Sequence, residues 1–146
     1  MADLDLALVS DLADTARDSG WRNIASLLTG NTYVAASAAS RYLRIRRIGA
    51  VVSLEGRLDV LTSSTAAQIL FSHTTLAGFR STESFPAIIA VPCYDGWDFK
   101  RNVAARASVG QAAYQAAGFV AGEVMSLALS WATSEPWPTT LPGVPV

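Results

Sequence analysis

Several familiar ingredients are scarce in this chain of 146 residues. It has one cysteine, Cys93, so no internal disulfide is available. It has one histidine, His73, with no second histidine and no cysteine at metal-ligand spacing. Neither residue sits in a pattern that would activate a nucleophile; there is no G-x-S-x-G elbow, and Cys93 follows Pro92 in a strand-like run. P-loop, dinucleotide-binding and EF-hand patterns are absent as well. No run reaches the roughly 20 apolar residues of a membrane helix, so membrane insertion is not expected. The start, "MADLDLALVSDLAD", is acidic and lacks the basic region of a signal peptide. Charged residues make up only 16% and the net charge is −1, which argues against a polyanion partner such as nucleic acid. Lysine is nearly missing: the eleven basic residues are ten arginines and Lys100.

What remains is apolar: 51% of the residues are hydrophobic, enough for the core of one ordinary domain. Two periods divide it. In residues 1–19, five of the twelve acidic residues accompany Leu4, Leu8 and Leu12, a four-residue recurrence that predicts a short amphipathic helix ending at Gly20. Residues 20–146 read as β-structure. "VVSLEGRLDV" places Val52, Leu54, Gly56, Leu58 and Val60 on one face and Ser53, Glu55, Arg57 and Asp59 on the other. "VMSLALSW" repeats the scheme with Met125, Leu127, Leu129 and Trp131. The alanine-rich residues 104–121 are interrupted by Gly110 and Gly118 and are also read as strands. Four of the six prolines fall in the last eleven residues, so the tail should run extended over the surface, with Trp137 and Leu141 as anchors.

The stretch "RYLRIRRIGAVVSLEGRL" concentrates four arginines before a Gly-Ala pair. A two-residue loop at Gly49-Ala50 sets Arg47 against Val52, Ile45 against Leu54, Leu43 against Gly56, Arg44 against Glu55 and Tyr42 against Arg57. That register collects the apolar positions on one side, so most of these arginines form the solvated face of a hairpin. Arg47 is the exception, on the apolar side beside the turn. Tyr42 and Arg57 are a candidate stacking pair. A second hairpin is expected at "CYDGWDF", with an Asp95-Gly96 loop and Tyr94 opposite Trp97. Its aromatic tip is the candidate ligand site, comprising Tyr94, Asp95, Trp97, Asp98, Lys100 and Arg101. Aromatic plates with neighbouring hydrogen-bonding groups suit sugar rings; the structural alternative is a cross-strand pair that supports the turn.

The order of the pieces "DSGWRNI", "YLRIRRIGAVVSLEGRL", "LAGFRS" and "WATSEPWPTTLPG" resembles the C-terminal β-domain of tail-fibre and minor tail proteins of bacteriophages and prophages, notably those of actinobacterial hosts. The resemblance covers most of residues 19–143. It departs at "LAGFRS", where the family often has proline after leucine and after arginine, and at Gly-Ala in place of Gly-Asn. It implies an all-β, antiparallel, jelly-roll-like β-sandwich, preceded by the helix as the end of a coiled-coil stem and assembled as a homotrimer. It also implies a place in the virion, made in the host cytoplasm, beside other tail proteins, with a non-enzymatic role in binding bacterial cell-surface glycan. Similar domains occur on tailocins and contractile injection systems. The expectation is therefore an adhesin without cofactor, metal or catalytic residues. A structural trimerisation or tip module is the runner-up, followed by a glycan-cleaving tailspike domain, with a nucleic-acid module last.

Overall fold

The computed structural model describes residues 17–72, 76–81, 88–108 and 113–146. Residues 1–16 of the expected helix, and His73, lie outside the described residues. The end of that expected helix is not helical: Asp18 instead forms an isolated antiparallel bridge with Ile48.

Among the described residues the architecture is all-β, with antiparallel strands and one short 3₁₀ turn, Ala25–Leu28. The strands are β1 (Arg22–Asn23), β2 (Val34–Ala35), β3 (Tyr42–Ile48), β4 (Val51–Val60), β5 (Gln68–Ser72), β6 (Ile88–Asp95), β7 (Asp98–Ser108), β8 (Ala113–Ala117), β9 (Val124–Ala132) and β10 (Val144–Pro145). They join in the order β10-β1-β3-β4-β9-β6-β7-β8-β5, with β2 added to β4 beyond the end of β3. The family resemblance implied a two-sheet sandwich. The described strands instead form one connected sheet curled into a half-barrel. The connection is thin at one seam, where β6 meets β9 through only Cys93↔Met125 and Tyr94↔Val124.

Period-two alternation explains the curl. Leu43, Ile45, Val52, Leu54, Leu58, Met125, Leu127 and Leu129 all turn to one side and are buried. A sheet with one apolar face must cover it, and here it bends so that the far strands supply Leu70, Val91 and Val103, with Phe119 from the segment after β8. The two ends of the curl are drawn together by Asn31. Its amide donates to the Ile69 carbonyl at 3.3 Å and to that of Leu70, while its Oδ1 accepts from the backbone of Tyr33 at 2.7 Å and Val34 at 3.0 Å. Tyr33 also meets Phe119 edge-on at 6.0 Å.

The β3–β4 hairpin has the expected register throughout, from Tyr42↔Arg57 to Ile48↔Val51, with Gly49 at φ +54° opening its loop. On the solvent side Arg44 pairs with Glu55 at 2.7 Å, and Arg46 pairs with Asp18. The guanidinium over Tyr42 is that of Arg44, at 5.0 Å, rather than that of Arg57. The alanine-rich residues lie in β7 and β8, as the glycine punctuation suggested. The proline-rich tail runs over the base of the hairpin and ends in β10, an edge strand.

Candidate functional site

The β6–β7 hairpin carries the candidate residues. Its register is Asp95↔Asp98 and Tyr94↔Phe99, then Cys93↔Arg101, so Lys100 is an extra residue in a bulge. The loop is therefore Gly96-Trp97, not Asp95-Gly96, and Trp97 does not face Tyr94. The cause is local. Gly96 takes φ +60° and opens the loop, as Gly49 does in the first hairpin. Trp97 is thereby placed at the tip with 93% of its surface exposed. That excludes the simple alternative of a buried supporting ring. Phe99, also exposed, packs edge-on against half-buried Tyr94 with centroids 6.0 Å apart.

Beside the tip lies a cleft of about 360 Å³ lined by Tyr42, Arg57, Tyr94, Gly96, Trp97 and Ser126. Four strands build it. The β3–β4 register sets Tyr42 beside Arg57, the β4–β9 register sets Arg57 beside Ser126, and the β6–β9 seam brings Tyr94 alongside. Of the six residues proposed from sequence, Tyr94 and Trp97 line this cleft. Asp95 and Asp98 are exposed at the tip without lining it, and Asp95 is 3.8 Å from Lys100. Arg101 belongs to another hollow, with Ser63, Ser64, Gly118 and Phe119, and is engaged by buried Glu123 at 3.0 Å. The sequence reading missed Ser126 altogether. It paired Tyr42 with Arg57 without attaching them to the tip, because nothing local announces which strands become neighbours.

Cys93 is buried just behind the tip, and burial, with Glu123 nearby, pushes its thiol up to about 11. A thiol held protonated is a poor nucleophile. Among the described residues no group of three or more His, Cys, Asp or Glu side chains could hold a metal ion. No helix there is long and apolar enough to cross a membrane.

The opposite end of the sheet is built differently. Arg47 is 5% exposed and donates to the carbonyls of Gly49 at 2.7 Å, Glu135 at 2.9 Å, Pro136 at 3.3 Å and Gly78. Its guanidinium also lies 4.7 Å from the centroid of the Trp137 ring. Glu135 accepts from the backbone of Gly78 at 2.6 Å and from Arg80 Nε at 2.5 Å. Trp131 donates to the Phe79 carbonyl at 2.8 Å, and Arg22 donates to Pro142 and Gly143, each at 2.9 Å. A cleft of about 500 Å³ exists here too, between residues 76–80 and the tail, but its ionic pair, Arg80 and Glu135, is already internally matched. The sequence pieces that carried the tail-fibre resemblance thus meet at this end, where they bind one another.

No family model, curated protein or solved structure matches the chain.

Proposed function

We propose that this chain is a non-enzymatic receptor-binding domain of a phage tail-fibre or minor tail protein, which holds bacterial cell-wall glycan at the Gly96-Trp97 tip. The observation that carries the reading is the position of Trp97. An indole 93% exposed gains nothing for folding, and exposed aromatic rings above a cleft are surfaces for stacking a ligand.

The layout supports it. The chain enters beside the first hairpin's turn, where the Arg17 carbonyl accepts from Gly49 and Asp18 bridges Ile48. The aromatic tip lies beyond the other end of β4, roughly 30 Å away at about 3.3 Å per residue. A stem ahead of Arg17, as the family resemblance implies, with the contact surface at the far end would give the geometry an adhesin needs. Assembly as a homotrimer belongs to the same reading. The apolar side chains of Ile48 and Val51 stand exposed and directly opposite each other near the entering chain, on a face suited to meet other copies. Three linked sites would raise the avidity of a weak glycan contact by about 10²–10⁴.

The test combines labelled protein, whole host-range panels of bacteria and their purified cell-wall polysaccharide. Polysaccharide chain length is followed in parallel. Binding that Trp97→Ala removes, without shortening of the polysaccharide, supports the proposal. Shortening would make the domain an enzyme, and a folded protein that binds nothing would make it a structural module. Light scattering should give three times the 15.4 kDa chain mass; a value near one chain overturns the trimer.

A further inference from the structure

We propose that the cleft beneath Trp97 selects a sugar ring bearing a carboxylate, of the uronic-acid kind, over a neutral one; this rests on the glycan-binding reading above. The argument starts from the arginines. Every other arginine whose side chain is described faces a carboxylate, a carbonyl or an aromatic ring. Arg57 alone has no ion pair, hydrogen bond or ring contact among the described residues. The reason lies in β4. Its neighbours on the same face, Glu55 and Asp59, are already committed to Arg44 at 2.7 Å and Arg41 at 2.6 Å. Arg57 is half-buried, and among the described residues it is the only charged one that lines the cleft.

The rest of the lining fits a sugar. Tyr42, Tyr94 and Trp97 supply ring surfaces for the apolar face of a pyranose, and Ser126, directly opposite Arg57, supplies a hydroxyl for a ring substituent. The guanidinium fork matches a carboxylate with two parallel N–H···O bonds. One arginine balances one carboxylate. A phosphate monoester, at about −1.5 to −2, would leave charge unmatched where the described lining holds no second cation, and a glycerol phosphodiester, although singly charged, has no pyranose ring for the aromatic surfaces.

The experiment uses the full chain and three probes: a glucuronic-acid oligosaccharide, its carboxyl-reduced neutral counterpart, and a glycerol-phosphate oligomer. Affinity is read by calorimetry for the wild type, Arg57→Gln and Trp97→Ala, with folding checked by circular dichroism. The wild type should prefer the acidic oligosaccharide to the neutral one by about tenfold or more. Arg57→Gln should shrink that preference to about twofold or less by weakening the acidic sugar more than the neutral one, and Trp97→Ala should weaken both sugars alike. Equal affinity of the wild type for the two sugars, an undiminished preference in Arg57→Gln, or tighter binding of the glycerol-phosphate oligomer would each overturn the inference. The carboxyl-reduced probe tests it on the wild type alone, should the variant fail to fold. If charge selection is absent while cells are still bound through Trp97, only this inference falls. If neither cells nor polysaccharide are bound, the glycan reading falls with it.

Discussion

The two hairpins begin from the same device and end in opposite states. Each opens its loop with a glycine at positive φ, Gly49 at +54° and Gly96 at +60°. At the first, one side of the turn is covered while Ile48, Ala50 and Val51 stay exposed: buried Gly49 donates to the Arg17 carbonyl, Arg47 donates to the Gly49 carbonyl, and Gly78 and the tail pack against that side. At the second, the turn is bare and carries an indole into solvent. A hairpin tip that the chain covers with its own carbonyls and rings is framework. A tip of equal geometry left uncovered, with large apolar side chains, is available to something else. The contrast also explains where the arginines went. Arg47 is engaged inside the base, whereas Arg57 near the tip has no partner among the described residues.

The comparison can be broken most severely at its base. Replacing Arg47 by Met leaves four backbone carbonyls without their charged donor, and Trp137 without the cation on its face. The expected loss is about 3–4 kcal/mol of unfolding free energy, measured by urea denaturation. A loss below about 1 kcal/mol would mean that the tail is held by other contacts. At the tip the effects should separate. Trp97→Ala should change stability by no more than about 0.5 kcal/mol, because almost no surface is uncovered. It should nevertheless weaken cell binding by about tenfold or more. A large stability loss with unchanged binding would reverse the assignment of the two ends.

The smallest effect concerns acid. Arg46, with the Gly20 N–H, holds the Asp18 carboxyl down at about 2, against an ordinary 3.8. For Glu135, burial pushes the carboxyl up, but Arg80 and the N–H groups of Arg80 and Gly78 outweigh it and the net direction is down. A carboxyl lowered by folding stabilises the folded state above its ordinary value, and that contribution is lost as pH falls through the folded value. For Asp18 the loss should run from about pH 3.8 to about 2. Amide exchange followed from pH 5 to pH 2 should therefore loosen Arg17–Gly20 and residues 76–81 before the tip. Asp18→Asn should flatten the pH dependence at Arg17–Gly20. Simultaneous loosening of base and tip would show that these carboxylates do not govern the order.

Much of the fold was legible wherever the code is local. Alternation in residues 51–60 and a glycine in the loop fixed every pair of the first hairpin, and the misfit of Arg47 in that pattern marked a side chain with internal work to do. Glycine punctuation identified β7 and β8 despite the helix preference of alanine. The second hairpin was displaced by one residue because the Asp-Gly signal favours glycine in the second loop position, whereas Gly96 takes the first and Lys100 is absorbed in a bulge. The candidate cleft was legible only in halves. Tyr94 and Trp97 could be picked out as an aromatic tip, but Ser126 joins them through the pairing of β9 with β4 and β6, residues far apart in sequence. Such neighbours are chosen by burial of a common face, which many strands satisfy equally well.

The strands between the entering chain and the Trp97 tip run lengthwise along that line, and this has a mechanical consequence. Tension applied between Asp18 and Trp97 would load the nine-pair β4–β9 ladder along its strands, and its hydrogen bonds cross that direction. The bonds would then be sheared together instead of being peeled singly. The weak point under such a load is the two-pair seam of β6 with β9. In single-molecule pulling from these two positions, the seam should yield first, at a lower force than the β4–β9 ladder behind it, so that a tethered particle would feel a compliant tip on a stiff base.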